Sequence, residues 1–141
     1  MTKRRRRKSA AHCPCASGNL YARCCGPYHT GDSWPATPQD TVRSRYAAYA
    51  RGAVDYIVDT TCPDGQAWKT PVDAWRKDIA SFGRTMDFLG VDILAADVHD
   101  ETATVTFHAR LRHGDRDASF TEESRFIRRD HRWLYLDGTP E

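Results

Sequence analysis

The chain has 141 residues, 40% of them hydrophobic, and its four Trp, six Tyr and five Phe can furnish a core of roughly a hundred residues, which excludes global disorder. Formal net charge is +2, but residues 3–8 carry six positive charges in a row; without them 15 basic residues face 19 acidic ones, so the body is mildly acidic. No stretch approaches the roughly eighteen apolar residues of a membrane span. Ser9-Ala10-Ala11-His12 is also too polar for the core of a signal peptide, so the sequence reads as cytoplasmic.

Residues 1–11 read as a disordered basic tail, suited to a ribosome, nucleic acid or anionic lipid through phosphate neutralisation; a solubilising extension is the alternative. Residues 12–30 form a cysteine module. Four of the five cysteines fall within thirteen residues: Cys13-Pro14-Cys15, then eight residues, then Cys24-Cys25. In a reducing compartment such clustering points to metal rather than disulfides. A Cys-x-Cys turn can offer two adjacent tetrahedral corners, and about one helical turn over 19–23 returns Cys24 and Cys25 to the ion. Four thiolates leave no open position, so the expected role is a structural zinc, with an iron–sulfur cluster as the competitor. His29, four residues past Cys25, could supply the fourth ligand instead, as could His12. Cys62 lies apart in sequence and reads as a lone buried thiol.

A connecting loop with Pro35 and Pro38 follows. Thr37-Pro38-Gln39-Asp40 gives an N-cap, a proline at the first helical position and an acid at the third. Val42, Tyr46, Tyr49 and Ala50 then share one face, and Gly52 is the stop. A short helix is predicted over 54–59 and a turn over 62–65. Thr70-Pro71-Val72-Asp73 repeats the cap-and-proline start, with Val72, Trp75 and Ile79 inward and an end near Gly83.

Beyond residue 85 the period changes. A strand is expected over 85–96, and strict alternation marks another over 102–112. His113-Gly114-Asp115 is a hairpin turn, 116–129 the returning strand, and 133–136 a last strand ended by Gly138. Three helices followed by antiparallel strands make an α+β domain over 37–141, with helices on one face of a curved sheet.

No phosphate loop, HExxH or nucleophile elbow is present. Asp55, His108, Arg125 and Asp137 read as surface charges or structural hydrogen bonds. Glu122 differs. By period-two spacing it shares a face with Ala118, Phe120, Ser124 and Phe126, and the two phenylalanines mark that face as buried. An inward carboxylate needs a partner; Arg45 or Tyr49 of the first long helix is expected to supply it. A β-bulge turning Glu122 outward is the alternative. An inward Glu122 either bridges helix to sheet or lines a pocket with Tyr46, Tyr49 and Trp75.

Cys13-Pro14-Cys15-Ala16-Ser17-Gly18, Tyr21 and Cys24-Cys25 together resemble the SEC-C motif, the zinc-binding tail of the SecA translocation ATPase, which recurs in many bacterial proteins. The resemblance implies zinc on Cys13, Cys15, Cys24 and Cys25, with Cys25 standing where SecA has His. Arg43-Ser44-Arg45-Tyr46-Ala47-Ala48-Tyr49, Glu122-x-Ser124-Arg125-Phe126 and the run 132–138 resemble the YchJ family of uncharacterised proteins. That implies a SEC-C zinc knuckle followed by a nuclear transport factor 2-like domain, a cone of curved antiparallel strands closed by helices. Two functions are compatible with it. The first is a binding or adaptor module with a ribosome, nucleic-acid or protein partner; the second is a small-molecule binder or enzyme using the cone's interior. A filled cone favours the first, and a deep, polar pocket with a paired acid and base the second.

Overall fold

The computed structural model describes residues 12–141; the basic run at 3–8 lies outside the described residues. Tyr21–Arg23 forms a 3-10 turn, and four α-helices follow: α1 (Gly26–His29), α2 (Pro38–Arg51), α3 (Val54–Asp59) and α4 (Val72–Thr85). The strands are β1 (Asp87–His99), β2 (Thr102–His113), β3 (Arg116–Asp117), β4 (Phe120–Arg129) and β5 (Arg132–Pro140). They form one antiparallel sheet in the order β1-β2-β4-β5, with β3 a short extension against β2. The fold is α+β; α2, α3 and α4 are the three helices expected after residue 37, and α1 is a further one inside the cysteine module.

The α2 start is as its sequence dictates. Thr37 Oγ1 accepts from the Asp40 amide at 3.1 Å, Pro38 opens the helix, and Gly52 ends it with φ 74°. Similar signals mislead at α4. Its N-cap is Pro71 rather than Thr70, with no side-chain cap bond, and the helix runs past Gly83 to Thr85. A Cβ at Gly83 would strike the Tyr49 carbonyl of α2, so this glycine allows two helices to approach rather than ending one.

The strand expected over 116–129 is broken. Asp117 Oδ1 accepts the Ser119 amide at 2.9 Å, and Ser119 Oγ accepts the Leu111 amide at 3.0 Å, so 118–119 leaves the ladder. Phe120 keeps the face it shares with Glu122 and Phe126 on the cavity lining but, at the end of β4, is 42% exposed, whereas Phe126 is 1% exposed. The last strand passes through Gly138 instead of stopping there.

Helix α2 lies on β1, β2 and β5. Tyr46 fastens it: its hydroxyl donates to the Arg110 carbonyl and accepts from the Gly90 amide, both at 2.8 Å, beside an irregularity in β1. Val42, Tyr46 and Ala47 pack with Val105, Phe126 and Trp133 of the sheet, and Cys13, Cys15 and Cys25 belong to that same cluster. A second cluster, including Ala48, Ile57, Trp75 and Ile79, joins α2, α3 and α4. Among the described residues no helix is long and apolar enough to cross a membrane.

Candidate metal centre and interior cavity

The N-terminal module is organised by tight backbone turns. The Ala16 amide donates to the Cys13 carbonyl at 3.0 Å, and the Cys13 amide to the Asn19 carbonyl at 2.9 Å. The 3-10 turn then delivers Cys24, whose amide donates to the Tyr21 carbonyl at 3.1 Å. The Sγ atoms of Cys13, Cys15, Cys24 and Cys25 all lie within 4.8 Å of one another, and no disulfide joins them. Cys15 and Cys24 are 3.6 Å apart, Cys24 and Cys25 3.9 Å. A tetrahedral site with metal–sulfur bonds of about 2.3 Å requires sulfur–sulfur separations of about 3.8 Å, so the cluster fits a metal ion.

The electrostatics agree. Hydrogen bonding to Cys15, together with burial, pushes the Cys13 thiol up to about 11. Hydrogen bonding to Cys13 and Cys15 and burial push Cys25 far above its ordinary value. Cys15 is pulled strongly down by the hydrogen bonds of Cys13 and Cys25. Among these three thiols the proton is lost first from Cys15, and ionising the others beside it calls for a positive ion at the centre.

Both ring nitrogens of His29 are engaged away from this cluster. Nε2 donates to the Ser44 carbonyl at 2.8 Å, and Nδ1 accepts from the Tyr21 hydroxyl at 2.6 Å. His29 thus ties the module to α2, a role the sequence reading missed; its spacing from Cys25 suggested only a ligand. His12 is exposed at the module's edge, in a single bridge to Leu20. Cys62 is fully buried and free.

A cavity of about 340 Å³ lies between the helices and the sheet. Arg45, Tyr46, Tyr49, Trp75 and Glu122 all line it. The β-bulge falls at Arg125/Phe126, not at Glu122, and leaves the carboxylate inward. Its partners differ from those expected. Glu122 Oε2 accepts from Ser124 Oγ at 2.6 Å and from the Tyr135 hydroxyl at 2.8 Å, rather than from Arg45 or Tyr49. Arg45 instead directs Nη1 to the Ile57 carbonyl at 3.2 Å and to the Thr60 and Thr61 hydroxyls at 2.8 and 3.0 Å, with its guanidinium 4.4 Å from the Tyr135 ring centre. It turns to the C-terminal end of α3, where these three oxygens converge. Burial, then the Glu122 charge, raises the Tyr135 pKa and keeps its proton on the phenol. Gly138 makes room: a Cβ there would collide with the Glu122 carboxylate and lie 2.6 Å from the Tyr135 hydroxyl.

Tyr135 was legible in principle. The two-residue turn at Asp130-His131 places it opposite Phe126, hence near the inward face. The remaining charges are structural. Asp55 pairs with Arg76, and Arg125 grips its cross-strand neighbour Asp137 with two bonds of 2.8 and 2.6 Å. His108 meets Thr121 at 2.9 Å across β2 and β4.

Residues 37–138 match the family described as "YchJ, middle NTF2-like domain". A UPF0225 protein of Sodalis glossinidius is 39% identical over 130 residues, covering 89% of this chain and 81% of the relative. One from Serratia proteamaculans is 38% identical over 132 residues, covering 90% and 82%. A SEC-C motif-containing protein from Rhodopseudomonas palustris superposes with a TM-score of 0.77 at 35% identity, covering 90% of this chain and 96% of that one. Another from Psychrobacter arcticus gives 0.75 at 27% identity, covering 92% and 82%. The chain therefore belongs to the YchJ family, in which a SEC-C cysteine motif precedes a nuclear transport factor 2-like domain.

Proposed function

We propose that this protein binds a small molecule inside its cone, and that the four cysteines hold a structural zinc ion which secures the wall of that cone. The observation that carries the first part is the 340 Å³ cavity with Glu122 on its lining. That volume falls within the roughly 300–1,000 Å³ of ordinary ligand pockets. Its walls are largely aromatic, and its polar groups converge where Glu122, Tyr135 and Arg45 meet. A filled cone would have favoured an adaptor; the open one supports a binder.

Zinc suits the second part because four thiolates close its coordination sphere and supply folding energy to a module too short to build its own core. Separate units at 12–30 and 37–141 are part of this reading, although the cysteines pack into the larger unit's core.

Binding is tested by titrating neutral apolar fragments such as indole into the full chain while following the ring signals of Tyr49 and Trp75. We expect saturable shifts, lost in Ala109→Leu, which narrows the cavity. Fragments that move neither ring, or shifts unchanged in that variant, would remove the cavity from the function.

A further inference from the structure

Resting on the reading of the cone as a binding site, we infer that its ligand is an amine: an ammonium group on an apolar or aromatic body, read by Glu122. The carboxylate is held in an orientation that leaves one acceptor over. Both hydroxyl donors, Ser124 and Tyr135, go to Oε2, and among the described residues no hydrogen bond reaches Oε1. None of the ion pairs among the described residues includes Glu122. Its cationic neighbour Arg45, also on the lining, is committed elsewhere: Nη1 goes to three oxygens around α3 and the guanidinium lies on the face of Tyr135.

Glu122 already accepts from Ser124 and Tyr135, and an ammonium N–H on Oε1 would add a charge-assisted hydrogen bond that the described residues do not make. The aromatic part of the lining favours the same charge. Tyr49, Trp75, Phe82, Phe88 and Phe107 present rings to the cavity, and aromatic faces attract cations. The other charged residues of the lining, Lys69 and Asp78, are both exposed, opposite in sign, and favour neither. A ligand carboxylate would meet repulsion from Glu122, and a neutral alcohol would offer a single uncharged hydrogen bond, roughly half as strong as a charge-assisted one.

The test uses three probes with one body: phenethylamine, 2-phenylethanol and phenylacetate, titrated calorimetrically into the full chain. Phenethylamine should bind at least tenfold more tightly than the alcohol, with phenylacetate weakest. Glu122→Gln should bring the amine to the level of the alcohol, whereas Ser124→Ala, which keeps the charge, should preserve the preference. The ranking in the unaltered protein stands even where a variant fails to fold. Equal binding of amine and alcohol, or tightest binding of phenylacetate, overturns the amine assignment and leaves the cavity as a site for another class. No binding of any probe, together with silence from the neutral fragments, overturns both.

Discussion

His29 and Cys25 are four residues apart and act differently, which makes the fourth ligand testable one residue at a time. X-ray absorption of the metal-loaded protein should show sulfur only in the first shell; a nitrogen neighbour would return His29 to the site. His29→Ala should leave about one metal ion per chain yet destabilise the fold by about 1–3 kcal/mol, because the Ser44 carbonyl and the Tyr21 hydroxyl lose their partner. Burial, the larger influence, holds the His29 pKa below its ordinary value despite the Ser44 bond. The sign follows. The unfolded chain takes up that proton first, so the contribution of His29 is full above about pH 6.5 and declines as pH falls below it. Nitrogen NMR should show the Nε2–H tautomer at neutral pH; a ring titrating at or above the ordinary value would contradict this assignment.

At the scale of elements, the local signals were readable wherever the determinant was local. Thr37-Pro38 and Gly52 bracket α2 because capping is settled within a turn of chain. Thr70-Pro71 looks alike but sits one residue out of phase, with Pro71 as the N-cap. Glycine was the systematic difficulty. Gly83 and Gly138 look like stops, yet each clears space for a group remote in sequence, the Tyr49 carbonyl and the Glu122 carboxylate. Nothing within a local window distinguishes a breaker from a spacer. The four cysteines were legible as a cluster because of their spacing, whereas Tyr135 required counting back from the two-residue turn at Asp130-His131 to its partner Phe126. The spacer reading inverts a usual expectation. Gly→Ala inside a helix ordinarily stabilises by about 1 kcal/mol, but Gly83→Ala should lower the melting temperature, since α2 and α4 would be forced apart. An unchanged or raised melting temperature would show that the helices can yield.

For the molecule as a whole, a metal ion on the four cysteines would act beyond the module that holds it. The module does not merely precede the cone. Cys13, Cys15 and Cys25 are buried with Val42, Tyr46 and Val91. The Val91 amide reaches the Cys15 carbonyl at 3.4 Å, and His29 reaches the backbone of α2 one residue before Arg45. Helix α2 and strand β1 are therefore shared between the cysteine cluster and the cavity wall. The second cluster, with Ile57, Trp75 and Ile79 among α2, α3 and α4, contains no cysteine and meets the module through Tyr28 and His29. Removing the metal with a chelator, or changing Cys13 to Ser, should leave the cone folded but less stable, because a ligand bound only by the native state stabilises it by mass action. Hydrogen exchange should show the loss unevenly, with amides of 12–29 released outright, those of α2 and the start of β1 weakened, and those of β4 and β5 nearly unchanged. Indole binding should weaken in parallel, as Tyr46 and Tyr49 lose their fixed position. Protection lost only within 12–29 would mean that the knuckle rides on the cone without supporting it; complete unfolding would mean that the two are one cooperative unit.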